Sequence, residues 1–182
     1  MNDTTTWTTT IAKSPDEVWG VVGDVARHGE WSPTPFEAKK ASEGPLGVGT
    51  VYETHGWLPG KGNEHRNDVT ITAFEPGKWV AFTAKDAEAP TTSSDWVLTP
   101  EGSGTKVERT MVFPKPPGFS GFMWPVLFPM LVKPAIQKNL NRLKSLVEME
   151  ISTGQLFEGL KPAGTASTAT ACGGTAFPPS ET

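Results

Sequence analysis

The stretch from Pro134 to about Glu150 does most to limit what this chain can fold into. Ile136, Leu140, Leu143 and Val147 recur at steps of four, three and four, which puts them on one face of a helix. Lys138, Asn141, Arg142, Lys144 and Glu148 mostly cover the other face. Pro134 suits a first helical turn, because the N–H it lacks has no partner there. Nearly everything upstream reads as short strands. A single amphipathic helix must bury its stripe, and a sheet is the surface on offer. The expectation is an α+β domain in which a curved antiparallel sheet holds one long C-terminal helix.

The upstream elements follow in order. Thr4 to Ile11 reads as a strand with Trp7, Thr9 and Ile11 on one face. Ser14-Pro15-Asp16-Glu17 carries a complete helix start, with Ser14 as cap, proline at the first helical position and Glu17 closing a capping box. Asp24 caps a second short helix that reaches about Glu30, where Trp31-Ser-Pro33 stops it. Strands are expected over Phe36–Ser42, Thr50–Trp57, Glu64–Phe74, Lys78–Lys85, Thr91–Leu98 and Thr105–Phe113, about seven in all. Pro76-Gly77 marks a tight turn. The glycine-rich Gly44–Gly49 precedes a strand and not a helix, so it reads as a turn and not a phosphate loop. Phe119 to Val132 is apolar and interrupted by Pro125 and Pro129, so one or two broken helical turns are expected there.

Residues 1–151 are expected to form one domain. Residues 152–182 form a low-complexity tail, and Lys161 to Thr182 is so poor in large apolar residues that disorder is expected. The formal charge is −4 and no basic run exceeds a pair, so nucleic acid is not an expected partner. The single cysteine, Cys172, permits no internal disulfide. No leader or spanning segment is apparent, and a cytoplasmic location is expected.

The order strand, helix pair, six strands, long helix resembles the helix-grip fold of the START-like, SRPBCC superfamily. Ile11-Ala-Lys-Ser-Pro-Asp-Glu-Val-Trp19 looks like its first-strand exit and helix start. Asp24 followed by Trp31, Gly47-Val-Gly49, Glu75-Pro-Gly77, Gly104-Thr105 and Leu140–Glu148 fall where that superfamily has them. The resemblance covers about Thr4 to Glu150 and is closest to the polyketide cyclase/dehydrase-like branch. It implies a cavity between the concave sheet face and the long helix.

Strand alternation then suggests which side chains line that cavity. Val69, Ile71 and Ala73 share a face with Asn67 and His65. Val80, Phe82 and Ala84 form another inward set, and Trp96 and Leu98 go with Ser94. Val107, Met111 and Phe113 bring Arg109 with them. The parity of Val51 and Trp57 places Glu53 and His55 inward, while Tyr52 argues for the opposite choice. Ile136 and Leu140 on the helix, with Trp124 and Phe128 ahead of it, complete the expected walls.

An inward Arg109 needs an anion, because an unpaired buried charge is costly. Glu53 or a ligand carboxylate is the candidate. The plainer alternative puts Arg109 and Glu53 on the convex face in a solvated ladder. His55 and His65 are the candidate acid–base groups, with Arg109 placed to steady a developing enolate. The plainer reading of both is a hydrogen-bonded surface or hairpin histidine, and His28 is expected to be exposed. No metal-ligand spacing and no Gly-x-Ser-x-Gly elbow occurs, and neither a metal nor a cofactor is expected.

Three functions fit these residues. The first is binding, for carriage or sensing, of a small hydrophobic molecule such as a lipid or an aromatic polyketide-like compound. The second is a cyclase or dehydratase-type enzyme using His55, His65 and Arg109. The third is an interaction module touching a membrane or a protein through Phe119–Val132. The ligand and the oligomeric state are not legible.

Overall fold

A computed structural model describes residues 2–58, 62–86, 91–115 and 118–159. Seven antiparallel strands form one sheet: β1 (Asn2–Ile11), β2 (Phe36–Lys40), β3 (Val51–Leu58), β4 (Gly62–Glu75), β5 (Trp79–Lys85), β6 (Thr92–Glu101) and β7 (Gly104–Pro114). Their order is β1-β7-β6-β5-β4-β3-β2, so β2 to β7 form a meander and β1 pairs with the last strand. The expected fold class, helix pair included, is what the chain adopts.

The local signals explain the element starts. Helix α1 (Pro15–Val22) has its full capping box: the Ser14 backbone N–H donates to Glu17 Oε2 at 2.8 Å, and the Glu17 N–H donates to Ser14 Oγ at 3.4 Å. These bonds hold the Glu17 carboxyl below its ordinary range. A 3₁₀ helix (Val25–Glu30) follows, capped by Asp24, whose Oδ1 accepts from Ala26 N at 2.9 Å. The same carboxylate oxygen accepts from the Tyr52 hydroxyl at 2.8 Å, which ties this helix to β3. At the β4–β5 turn Gly77 has φ +77°, a conformation that suits glycine and little else.

The long helix α3 (Lys133–Gly159) lays Leu140, Leu143 and Val147 fully buried on the sheet. Each such side chain contributes about 1.5–3 kcal/mol of burial. Its polar side chains clamp the edges. Glu148 Oε1 accepts from Ala12 N at 2.9 Å, Lys144 Nζ donates to Thr10 O at 2.5 Å, and Arg142 Nη1 donates to Ser32 O at 2.9 Å.

The structure departs from the sequence expectations in several places. The final helix runs to Gly159, past the expected end near Glu150; residues 160–182 lie outside the described residues. The apolar segment ahead of it is not broken turns. It is a helix, α2 (Gly118–Leu127), that passes through one π turn (Phe128–Val132) directly into α3. Pro125 and Pro129 remove two donors, and the widened turn, with Lys133 N–H reaching Phe128 O, keeps the path helical.

The parity of β3 is the opposite of that set by Val51 and Trp57. Tyr52 pairs with Val69 and Thr54 with Asn67, and both Tyr52 and Thr54 are buried. Directly opposed residues share a face, so Glu53 and His55 point to the convex side. Glu53 is exposed between Lys39 and Asp68, and His55 is half-buried between Glu37 and Arg66. A bulge between Ile71 and Ala73 also switches faces in β4, so that Phe74, opposite the buried Val80, continues the inward set in place of Ala73.

Candidate ligand-binding site

A cavity of about 210 Å³ opens between the concave face of the sheet, the 3₁₀ helix and α3. Val25, His28 and Trp31 form its wall on the helical side, with Phe36 from β2. Asn67, Val69, Phe82 and Ala84 come from β4 and β5. Residues Thr92 to Ser94, Arg109 and Met111 come from β6 and β7, and Asn139 reaches down from α3.

The walls are largely aromatic. Trp31 meets Trp96 edge-on at 5.4 Å between centroids, and the His28 ring lies 4.8 Å from Trp31, 5.8 Å from Phe82 and 5.9 Å from Trp96. His28 is buried, contrary to the expectation of exposure. Its Nε2 lies 2.9 Å from Val22 O. A carbonyl only accepts, so Nε2 carries the proton and Nδ1 does not. Burial, with Arg109 adding like charge, pulls this imidazole down to about 4, so it is neutral at pH 7.

Arg109 is the charged group of the site. Its guanidinium lies against the Trp96 ring, Cζ 4.6 Å from the centroid. Nη1 donates to Asn139 Oδ1 at 2.7 Å, and Nε donates to Ser94 Oγ at 3.4 Å. Among the described residues no carboxylate lies within ion-pair distance of it, and no Asp or Glu lines the cavity. Burial lowers the guanidinium to about 9, still charged at neutral pH. Glu53, on the far face, is not its counter-ion. Trp31 also buries its indole N–H with no acceptor among the described residues.

The remaining sequence-derived candidates divide between cavity, core and elsewhere. Asn67, Phe82 and Met111 line the cavity with Arg109. Ile71, Trp96 and Leu98 lie in the core beneath it. Leu140, Phe113, Ile136, Trp124 and Phe128 pack with Trp7 in a second cluster under α2. There the Trp124 indole donates to Asp3 Oδ2 at 2.5 Å, away from the cavity. His65 is buried on the inward face but does not line the cavity; its Nε2 pairs with Asp86 Oδ2 at 2.8 Å. The Trp57 side chain lies outside the described residues.

His28, Trp31 and Asn139 are site residues that sequence reasoning passed over. A signal for each exists. Asn139 follows Ile136 by three and precedes Leu143 by four, so it interrupts the apolar stripe. Val25, His28 and Trp31 are spaced by three, which is one face of a helix with three residues per turn.

Residues 3–148 match the model of the family described as polyketide cyclase/dehydrase and lipid transport. The chain belongs to this family. Among curated proteins none matches it by sequence. Solved structures share the fold. Zhui aromatase/cyclase from a Streptomyces species superposes with a TM-score of 0.66 at 19% identity, covering 83% of this chain and 96% of that one. A protein from Thermus thermophilus gives 0.66 at 16% identity, covering 80% and 97%. One from Chromobacterium violaceum gives 0.62 at 20%, covering 80% and 98%. These likenesses establish the polyketide-cyclase-type fold of this chain and no particular activity. No helix among the described residues is long and apolar enough to cross a membrane.

Proposed function

We propose that this family member binds one small, mostly aromatic molecule in the cavity between sheet and helix. The observation that carries this reading is the cavity itself: apolar and aromatic walls from His28, Trp31, Phe36 and Phe82, with a few polar groups at one side. Such a build supplies affinity from the walls and orientation from the polar groups. Its 210 Å³ lies below the ~300–1,000 Å³ common for drug-sized ligands. It is slightly above the ~150 Å³ of a cavity that takes one benzene ring. The size favours a compact aromatic over a long-chain lipid or a multi-ring polyketide. Carriage or sensing is favoured over acid–base turnover. His55 faces away, His65 is engaged by Asp86, and His28 is too weakly basic to hold a proton at neutral pH.

The test is native mass spectrometry of the purified protein with identification of whatever co-purifies, followed by titration of intrinsic tryptophan fluorescence with small aromatics. Saturable quenching at one equivalent supports the reading, and Phe82→Trp, which fills the cavity, should abolish it. Absence of any saturable response overturns it.

A second reading concerns the segment from α2 to the π turn. Phe122, Val126, Met130 and Leu131 are exposed there. From Arg109 to Val147 the chain has no Asp or Glu, while Lys115, Lys133, Lys138, Arg142 and Lys144 are all cationic. Exposed apolar side chains flanked by cations favour transient contact with an anionic membrane surface. Cosedimentation with phosphatidylglycerol vesicles that is lost in the pair Phe122→Asp and Leu131→Asp supports it. Equal binding to neutral vesicles, or none, removes it.

A further inference from the structure

The cavity is unbalanced in its hydrogen-bonding chemistry. Arg109 presents a guanidinium that donates to two neutral oxygens, from Asn139 and Ser94. Trp31, also in the wall, holds a buried N–H with no acceptor among the described residues. The lining has no carboxylate to set against them. A guanidinium offers five N–H donors, of which two are used here. Its planar fork suits a carboxylate better than any neutral oxygen. A buried cation without an anion is costly unless a partner arrives.

We infer that the ligand is a small aromatic carboxylate, its ring between Trp31, Phe36 and Phe82 and its carboxylate on Arg109 beside Asn139. This rests on the cavity-binding reading above and deepens it by naming the ligand class. Every other polar wall group is neutral: Ser94 and Asn139 hold the guanidinium, and Asn67 is tied to Thr54. The neutral His28 imidazole, with its proton toward Val22 O, leaves a ring that stacks and does not compete for the anion. The cavity volume limits the ligand to one or two fused rings, for the reason given above.

The experiment is calorimetric titration of the full chain with benzoate and 2-naphthoate against benzamide and 2-naphthamide, which match them in shape and lack the charge. The acids are expected to bind at least tenfold tighter than the amides. In Arg109→Met that preference should vanish while amide binding persists, and Arg109→Lys should retain part of it. Thermal unfolding of each variant checks that it is folded. Because the acid–amide comparison is made on the unaltered protein, it does not depend on any variant folding. If amides bind as well as acids, the carboxylate inference is overturned and the cavity reading stands. If neither class binds, both fall.

Discussion

Arg109 Cζ lies 4.6 Å from the centre of the Trp96 ring, and that aromatic face stands where an acid would ordinarily stand. The contact offsets part of the cost of burying the guanidinium, by roughly 0.5–2 kcal/mol. It does not neutralise the charge. A protein holding such a group without a counter-ion is less stable than it need be, and Arg109→Met should show this. The unfolding free energy in denaturant is expected to rise by about 1–4 kcal/mol, as when buried ions give way to packed apolar groups. A fall of that size would mean that the bonds to Asn139 and Ser94 matter more than the desolvation they accompany.

His28 makes stability depend on pH in a definite direction. Its folded-state value of about 4 lies below the ordinary 6.5, so between these values the unfolded chain binds more protons. The contribution is complete above pH 6.5 and is lost as the pH falls toward 4, by roughly 3 kcal/mol. Denaturant midpoints measured from pH 7 to pH 4 should therefore decline more steeply in the natural protein than in His28→Gln, which has no such proton to take up. Parallel declines would show that other groups govern acid unfolding.

Gly29 tests how tightly the cavity wall is held. A Cβ at this position would sit 2.3 Å from the Phe36 carbonyl oxygen, and backbone must move to admit it. Gly29→Ala is expected to cost ~1–3 kcal/mol of stability. It should also shift β2 and with it the Phe36 ring, weakening ligand binding. Unchanged thermal unfolding and unchanged ligand affinity would show that the wall yields without cost.

The start of α1 offers a local control. Ser14→Ala removes the acceptor for Glu17 N–H and should cost about 1 kcal/mol. It should also let the Glu17 carboxyl titrate closer to its ordinary value, which carboxyl-carbon NMR can follow. Because a depressed carboxylate stabilises above its unfolded value and loses this as pH falls, the variant should be less sensitive to acid at this site. A ligand titration should be unaffected, since the cap is not part of the cavity wall.

Signals confined to a few residues could be read without the structure. The capping box at Ser14–Glu17, the Pro76-Gly77 turn and the Leu140–Val147 stripe each act within one turn or one hairpin, and each appears where its spacing puts it. Inward placement of Asn67, Phe82, Arg109 and Met111 followed from alternation on strands whose apolar side was unambiguous. Alternation failed in β3, where Val51 and Tyr52 are both apolar and either face was defensible until Tyr52 met Val69. It failed at Ala73 because one inserted residue reverses every face beyond it. It failed for His28 because a three-residue turn, and not the usual 3.6, sets which side chain points inward.

The order of elements, the long helix and the sheet it must cover were determined by the sequence alone, since they depend on neighbours a few residues apart. The cavity's size and the isolation of Arg109 were decided only by the tertiary structure. Asn139 and Trp31 reach the site from elements far from Arg109 in the chain, and Glu53 leaves it by the turn of one strand face. Which charges meet, and which are left without a partner, depends on distances between such remote positions, and no local pattern encodes them.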